Sequence, residues 1–209
     1  MQFAVPKIYP ITDARLSGLS HFEQVERLIA GGASLIQLRE KHAPSRFFFE
    51  DAHAAVILAR KHGVKIIIND RSDLALALAA DGVHLGQDDL PSAMARTMLG
   101  SDAMIGLSTH TIEQARAAMD EPVDYIAFGP IFATVSKDNP DPVTGLDSLA
   151  RVRREIGDFP LVAIGGITIS NVECVFAAGA NSAAVVSSIL RDPKEISTRM
   201  AEFRLHASD

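Results

Sequence analysis

The feature that most constrains the fold is an alternation of short apolar runs with longer amphipathic stretches, repeated eight times along the chain. Most of the runs are apolar throughout, which is typical of parallel strands that are covered on both faces. The eight predicted strands span residues 7–12, 34–39, 65–69, 82–86, 104–108, 125–129, 161–165 and 183–187. Because Pro10 has no amide hydrogen, we expect the first strand to be bulged or frayed at its end.

The stretches between these runs carry apolar residues at helical spacing. Val25 and Ile29 fall on one helical face, as do Ile196, Met200 and Phe203, so each stretch can cover a sheet. Eight strand-helix units in 209 residues predict an α/β protein, a single (β/α)8 TIM barrel, because a doubly wound open sheet usually has fewer strands. No linker interrupts the pattern, so we expect residues 1–209 to form one domain.

Composition and charge narrow the class of protein. With 47% hydrophobic and 22% charged residues, the chain is neither disordered nor fibrous. A net charge of -6 argues against bulk attraction to nucleic acid or anionic lipid, so anionic ligands must be captured by local cations. No apolar leader precedes Pro10, and a single cysteine, Cys174, forms no intramolecular disulfide. We therefore expect a cytoplasmic protein with no nucleic-acid or membrane partner.

Polar residues that follow the predicted strands are the candidate site, since barrels of this type bind their ligands at the carboxyl ends of the strands. Gln37, Arg39 and Lys41 are spaced by two, so they point to one side for as long as the strand persists. Two cations and an amide in a row suit a polyphosphate. A strand that runs out into solvent would produce the same row.

Acidic residues follow the next two strands. Asp70 stands after Asn69 at the end of the third strand, and Asp88 and Asp89 stand after the fourth. Carboxylates from two neighbouring loops suit Mg2+ when substrate phosphates and water supply its remaining ligands. The structural alternative for Asp70 is a cap for the helix that follows.

A second anion site is predicted after the last two strands. Gly165 and Gly166, with Ser187 and Ser188, occupy the usual monophosphate site of such barrels. A glycine pair can equally be a turn with no ligand.

The long irregular segment 132–145 follows the sixth strand. In it, Lys137 lies beside Thr134 and Ser136, a cation and two hydroxyls that suit a loop closing over a phosphate. The alternative is a lysine that only faces solvent.

The histidines at strand ends, His84 and His110, are candidate acids or bases or hydrogen-bonded walls, and neither is assigned a proton. No nucleophile elbow, Walker A motif or zinc-ligand cluster is present in the sequence, which argues against covalent and zinc catalysis. One polyphosphate site with Mg2+ and one monophosphate site suggest a transferase that expels pyrophosphate while a second phosphorylated substrate attacks.

A set of motifs runs through the chain in a specific order: YPITD at 9–13, GGA at 31–33, IQLREK at 36–41, INDR at 68–71, DGVHLGQDDLP at 81–91, IGLSTHT at 105–111, DYIAFGPIF at 124–132 and AIGGI at 163–167. This ordered set resembles the thiamine phosphate synthase family over essentially the full chain.

The resemblance implies that 4-amino-2-methyl-5-hydroxymethylpyrimidine diphosphate reacts with hydroxyethylthiazole phosphate, with Mg2+ as cofactor, to give thiamine phosphate and pyrophosphate. It also suggests a homodimer. The pyrimidine diphosphate would be held by Gln37, Arg39, Lys41 and Asn69. The metal would be held by Asp70 and Asp89. The leaving pyrophosphate would be stabilised by the catalytic residues Arg39, Lys41, Ser108 and Lys137. The closing loop would contribute Thr134 and Ser136. The thiazole phosphate would be held by Gly166, Val186 and Ser187.

Two other functions fit the same fold. A thiazole tautomerase would bind thiazole phosphate and shift a proton without pyrophosphate chemistry. Tautomerase-like sequences tend to lose the acidic segment at 87–89 and the Gly129-Pro130 pair, and both are present in this chain. A non-catalytic phosphate binder would keep the barrel, but the intact set of cations and aspartates argues against it.

Overall fold

The computed structural model describes residues 5–134 and 141–207, and it confirms the predicted barrel. Eight parallel strands close into a ring in which each strand pairs with its neighbours in chain order and the first pairs with the last. The strands are β1 (Ile8–Thr12), β2 (Leu35–Leu38), β3 (Lys65–Asn69), β4 (Gly82–Leu85), β5 (Met104–Thr109), β6 (Tyr125–Phe128), β7 (Leu161–Ile164) and β8 (Ser182–Val185). Their bounds agree with the sequence prediction to within a residue or two.

Helices on the outside of the ring cover the outward face of the strands. Within the described residues they are α1 (Ala14–Ser17), α2 (His21–Ala30), α3 (Ser45–Lys61), α4 (Ser72–Ala77), α5 (Ser92–Leu99), α6 (Ile112–Ala117), a 3-10 turn (Ala118–Asp120), α7 (Gly145–Ile156), α8 (Val172–Ala177), α9 (Ser187–Leu190) and α10 (Ile196–His206). None of these helices is both long and apolar enough to cross a bilayer.

Pro10 does not fray the first strand, so that prediction was wrong. The residue is buried within β1 and lies in register with Val185 of β8. Pairing with β2 begins only at Ile11, so the missing amide hydrogen lies outside the register shared with β2.

The strands alternate between two apolar cores. Residues of one parity, such as Ile36 and Leu38 of β2, face the helices in a large outer core. Residues of the other parity fill the barrel interior: Tyr9, Ile11, Leu35, Ile67, Met104, Tyr125, Ala127, Val162 and Ala184. This alternation places Gln37, which lies two residues after Leu35, on the inward face with the interior core.

The last helix, α10, packs against α2, α9 and β1 on the outside of the barrel. Its apolar stripe of Ile196, Met200 and Phe203 is fully buried, whereas Leu205 on the same helix is 77% exposed. The predicted helical face is therefore confirmed, and it identifies a matched pair of positions for testing the core.

We expect Phe203→Ala to lower the free energy of unfolding by about 3–5 kcal/mol, because it removes a buried ring and leaves a cavity. Leu205→Ala on the same helix should change it by less than about 0.5 kcal/mol. Urea denaturation followed by circular dichroism measures both. Equal losses would show that α10 does not bury its apolar stripe against the barrel.

Candidate active site

A cavity of about 580 Å³ opens at the carboxyl ends of the strands. Every predicted site residue that falls within the described part of the chain lines it: Gln37, Arg39, Lys41, Asn69, Asp70, Asp89, Ser108, Thr134, Gly166, Val186 and Ser187. Ser136 and Lys137 lie outside the described residues. The cavity is also lined by the candidate histidines His84 and His110 and by Asp88, the neighbour of Asp89. Three further lining residues were given no role from the sequence: Gln87, Gln114 and Asp141.

The two cations reach the cavity by a different route from the one predicted. β2 ends at Leu38, so Arg39 and Lys41 belong to the loop after the strand, and alternation along a strand does not place them. Arg39 is instead held by Asp13, whose Oδ2 accepts a hydrogen bond from Nη1 at 3.0 Å. Asp13 itself caps α1 by accepting from the amide of Leu16. The cap of the first helix therefore orients a cation of the site.

Asp70 is not a helix cap. Helix α4 begins at Ser72 without a side-chain cap, and the Asp70 carboxylate pairs with the Lys41 ammonium. The backbone of Asp70 has φ of 63°, a left-handed conformation that is uncommon for a residue other than glycine. Its amide donates to the carbonyl of His84 at 2.8 Å, which keeps this conformation in place.

Asp89 faces Asp70 across the loops after β3 and β4. Burial raises the pKa of Asp89, and the negative charge of Asp70 raises it further. A hydrogen bond of 2.6 Å from the amide of Gly86 to Oδ2, and the charge of Lys41, act in the opposite direction. The two carboxylates repel each other, and a shared cation would relieve that repulsion.

The donor set fits a metal that keeps most of its ligands from elsewhere. Among the described residues, no cluster of three or more His, Cys, Asp or Glu side chains could enclose a metal ion. The pair Asp70 and Asp89 provides hard oxygen donors, and Mg2+ is commonly bound by one or two carboxylates together with substrate phosphates and water. The residues present therefore fit Mg2+ that binds together with a phosphorylated substrate.

Asn69 carries a buried amide nitrogen next to the cavity. The residue is 8% exposed, lines the cavity, and its Nδ2 has no hydrogen-bond partner in the described parts of the chain. A buried donor without an acceptor is costly to the fold. Asn69 therefore places a buried donor beside the cavity, and its role toward a ligand stays a prediction.

The glycine pair after β7 has a packing reason of its own. A Cβ on Gly166 would lie 2.4 Å from the carbonyl oxygen of Ala133, and a Cβ on Gly165 would lie 2.5 Å from the Cα of Pro130. The amide of Phe132 also donates to the carbonyl of Gly165 at 3.0 Å. Close approach of the segment after β6 therefore requires both glycines, and their role toward a phosphate stays a prediction.

The start of α9 completes this side of the cavity. Val186 and Ser187 line it, whereas the hydroxyl of Ser188 donates to the carbonyl of Ile167 at 2.7 Å. Of the two serines, Ser187 is the one that faces the cavity.

A chain of buried hydrogen bonds crosses the barrel beneath the cavity, and the sequence did not predict it. Gln37 Nε2 donates to Tyr9 OH at 3.0 Å, and this hydroxyl lies 3.1 Å from Tyr125 OH. Tyr125 OH lies 3.0 Å from His84 Nδ1, and His84 Nε2 lies 2.9 Å from Ser108 Oγ. Burial raises the pKa of both tyrosines, so they remain protonated. We call this set the interior hydrogen-bond chain.

His110 is held as part of the cavity wall. Its Nδ1 lies 2.7 Å from the carbonyl oxygen of Gly129, which can only accept, so Nδ1 carries a proton. Its Nε2 lies 3.6 Å from Asp141 Oδ2, and its amide donates to Gln114. The carboxylate of Asp141 was not foreseen, because nothing in the segment after β6 indicates which residue returns to the cavity.

Comparison with known proteins gives the family of this chain. The family model for thiamine monophosphate synthase matches residues 8–189. The thiamine-phosphate synthase of Syntrophomonas wolfei is 46% identical over 184 residues, 88% of each chain. That of Chloroflexus aurantiacus is 45% identical over 185 residues, 88% of this chain and 85% of its own.

A solved structure gives the same result. The thiamine phosphate pyrophosphorylase of Pyrococcus furiosus superposes with a TM-score of 0.86 at 33% identity, covering 96% of this chain and 95% of its own. The residues matched by the family model, 8–189, include all eight strands of the barrel. This chain therefore belongs to the thiamine monophosphate synthase family.

Proposed function

We propose that this protein is a thiamine phosphate synthase that joins the pyrimidine diphosphate to the thiazole phosphate and releases pyrophosphate. The observation that carries the proposal is the grouping at one cavity wall of the cations Arg39 and Lys41, the carboxylates Asp70 and Asp89, and the unpartnered amide of Asn69. The identity of the two substrates is inferred from the relatives, which are named thiamine-phosphate synthase.

The proposed reaction does not require the protein to remove a proton from either substrate. The carbon–oxygen bond between the pyrimidine methylene and the diphosphate breaks, and both bonding electrons leave with pyrophosphate. The thiazole nitrogen then donates its lone pair to the methylene carbon and forms the new carbon–nitrogen bond. Because that nitrogen carries no hydrogen, no general base is needed, and His110 can remain a wall of the cavity.

The protein's part is to hold both substrates and to stabilise the departing charge. Arg39 and Lys41 are the described cations at the cavity that can neutralise the diphosphate, and Lys137 is proposed to join them from the segment after β6. Ser108 would donate to a diphosphate oxygen. Thr134 and Ser136 would line the closing segment, and Gly166, Val186 and Ser187 would hold the thiazole phosphate.

Mg2+ is the proposed cofactor, held by Asp70 and Asp89, and when bound it would neutralise diphosphate charge as a Lewis acid. The position of both carboxylates at the cavity and the repulsion between them support this assignment. We also propose that residues 1–209 act as one catalytic domain, in the cytoplasm and as a homodimer. An exposed thiol at Cys174 is compatible with a reducing compartment.

The direct test is to incubate the protein with both substrates and Mg2+ and to measure thiamine phosphate and pyrophosphate together. We expect the two products in equal amounts and no turnover when EDTA removes the metal. Absence of product with Mg2+ present would refute the proposal. Isomerisation of a thiazole carboxylate phosphate without any pyrimidine substrate would identify a tautomerase instead.

The metal assignment predicts a specific effect of Asp89→Asn. We expect the Mg2+ concentration for half-maximal rate to rise by at least about tenfold, since even loss of an outer-shell partner costs about 10–100-fold. The free energy of unfolding should change by less than about 1 kcal/mol, because the exchange also removes a repulsive charge. Titration of the rate with Mg2+ and urea denaturation measure the two effects.

Asp81→Asn is the matched control at the opposite end of the barrel. Its carboxylate accepts from the Lys65 ammonium at 3.0 Å and from the amide of Ile66 at 2.9 Å. We expect about 1 kcal/mol of lost stability and an unchanged Mg2+ requirement. Similar shifts in the Mg2+ requirement for both variants would remove Asp89 from the metal site.

Because Asn69 Nδ2 has no partner in the described residues, we expect a substitution of Asn69 to weaken substrate binding without lowering the stability of the fold. Asn69→Leu keeps the approximate shape and removes a buried donor without an acceptor, so stability should be unchanged or slightly higher. The KM for the pyrimidine diphosphate should rise by at least about tenfold, because a hydrogen bond to a charged ligand is lost.

Ser182→Ala is the control for this experiment. The Ser182 hydroxyl is also buried without a partner in the described residues, but it lies at the start of β8 and not at the cavity. Stability should respond as in Asn69→Leu while the KM stays constant. A KM that is unchanged in Asn69→Leu would show that the amide does not bind this substrate.

A further inference from the structure

The proposed function leaves the interior hydrogen-bond chain unexplained. Tyr9 and Tyr125 are the two tyrosines of the sequence, they are 1% and 0% exposed, and both stand in the apolar interior of the barrel. Phenylalanine would fill the same space without burying hydroxyl groups, which costs stability unless they are hydrogen-bonded. Packing alone therefore does not explain why tyrosine stands at these two positions.

The neighbouring strand makes room for this chain. Gly106 of β5 lies beside Tyr125 and His84, and a Cβ at that position would lie 2.1 Å from Tyr125 Cζ and 2.5 Å from His84 Nδ1. The two rings stack at 5.5 Å between centroids and 20° between planes. Four strands thus take part in the central section of the interior hydrogen-bond chain. β1, β4 and β6 supply its side chains, and β5 supplies the glycine that leaves room for them.

The orientation of the Gln37 amide gives the chain a direction, because turning the amide over would reverse every bond in it. With Nε2 facing Tyr9 as in the structure, Tyr9 accepts from Gln37 and uses its single hydrogen to donate to Tyr125. In this arrangement the hydrogen of Tyr125 is directed to His84 Nδ1, which lies 3.0 Å away. Neutral histidine that accepts at Nδ1 carries its hydrogen at Nε2, and from there it donates to Ser108 Oγ.

This direction determines what the two ends of the chain present to the cavity. With its nitrogen turned to Tyr9, Gln37 has its carbonyl oxygen left to accept from a ligand. Ser108 accepts from His84, so its own hydrogen is left to donate to a ligand. One end is an acceptor and the other is a donor.

We propose that Tyr9, Tyr125 and His84 are positioning residues that fix this polarity, so that the cavity takes a hydrogen-bond donor at Gln37 and an anionic oxygen at Ser108. This identification of the ligand groups rests on the proposed function: the donor is the amino group of the pyrimidine ring, and the anionic oxygen belongs to the diphosphate. None of the three residues needs to touch the reacting atoms for this role.

The polarity can be measured without any substrate. Long-range 15N–1H correlation spectra of the 15N-labelled protein, with His84 assigned through its backbone, report which ring nitrogen carries the proton. We expect a neutral ring with Nε2 protonated and Nδ1 free to accept. A proton on Nδ1, or on both nitrogens, would overturn the proposed direction.

The consequence for recognition is tested by Tyr125→Phe. Without its acceptor, the Tyr9 hydroxyl can donate only if the Gln37 amide turns over, and Gln37 then presents its NH2 group to the cavity. We compare dissociation constants of the 4-amino pyrimidine diphosphate and its 4-oxo analogue, measured with Mg2+ and without thiazole phosphate. The preference for the amino compound should fall by at least about tenfold, the scale of one lost hydrogen bond.

Tyr9→Phe provides a second break in the chain at a different residue, should Tyr125→Phe fail to fold. It frees the Gln37 amide from its partner, and we expect the same loss of preference. Ser182→Ala is the control, because it removes a hydroxyl from the same interior face of the barrel outside the chain. The affinity for the thiazole phosphate should stay constant in all three variants.

The outcomes separate this inference from the proposed function. If folded Tyr9→Phe keeps the full preference for the amino compound, the positioning role is wrong while the function stands. If the wild-type protein binds neither pyrimidine diphosphate, the proposed function is wrong, and the His84 tautomer still decides the direction of the chain.

Discussion

Closure of the eight-stranded sheet is the constraint on which the rest of this structure depends. Because β1 pairs with β8, no strand has a free edge, and alternate side chains must all fit inside one ring. The interior is therefore filled low in the barrel by apolar residues such as Ile67 and Val162. Most of the polar side chains of the candidate site stand where the ring opens, at the carboxyl ends, and this is where Asn69 and Ser108 lie.

The parts of the fold that follow from periodicity could be predicted from the sequence. Apolar runs give the eight strands, and helical spacing gives the buried face of α10. The candidate site was also predictable as a set, because in a parallel barrel all strand ends meet at one rim. Gln37 and Asp89 could be assigned to one cavity although they are far apart in the sequence.

Sequence periodicity does not predict contacts between residues in loops or between residues of distant strands. Arg39 reaches the cavity because Asp13 holds it, and Asp70 does so through a left-handed backbone conformation, neither of which has a sequence pattern. The Tyr9–Tyr125 contact joins residues 116 positions apart. A signal was present in the rarity of tyrosine and in its placement within otherwise apolar strands, but it does not identify the partners.

The interior hydrogen-bond chain has a consequence for how such a barrel can change over generations. Its members come from β1, β2, β4, β5 and β6, and each is the partner of the next. Replacing Tyr125 alone removes one hydrogen-bond partner from the Tyr9 hydroxyl and one from His84, whereas replacing the whole set by apolar groups of the same shape buries no polar group without its partner. A change at one of these positions is therefore costly unless its partners change with it, so the proposed ligand preference would resist drift through single substitutions.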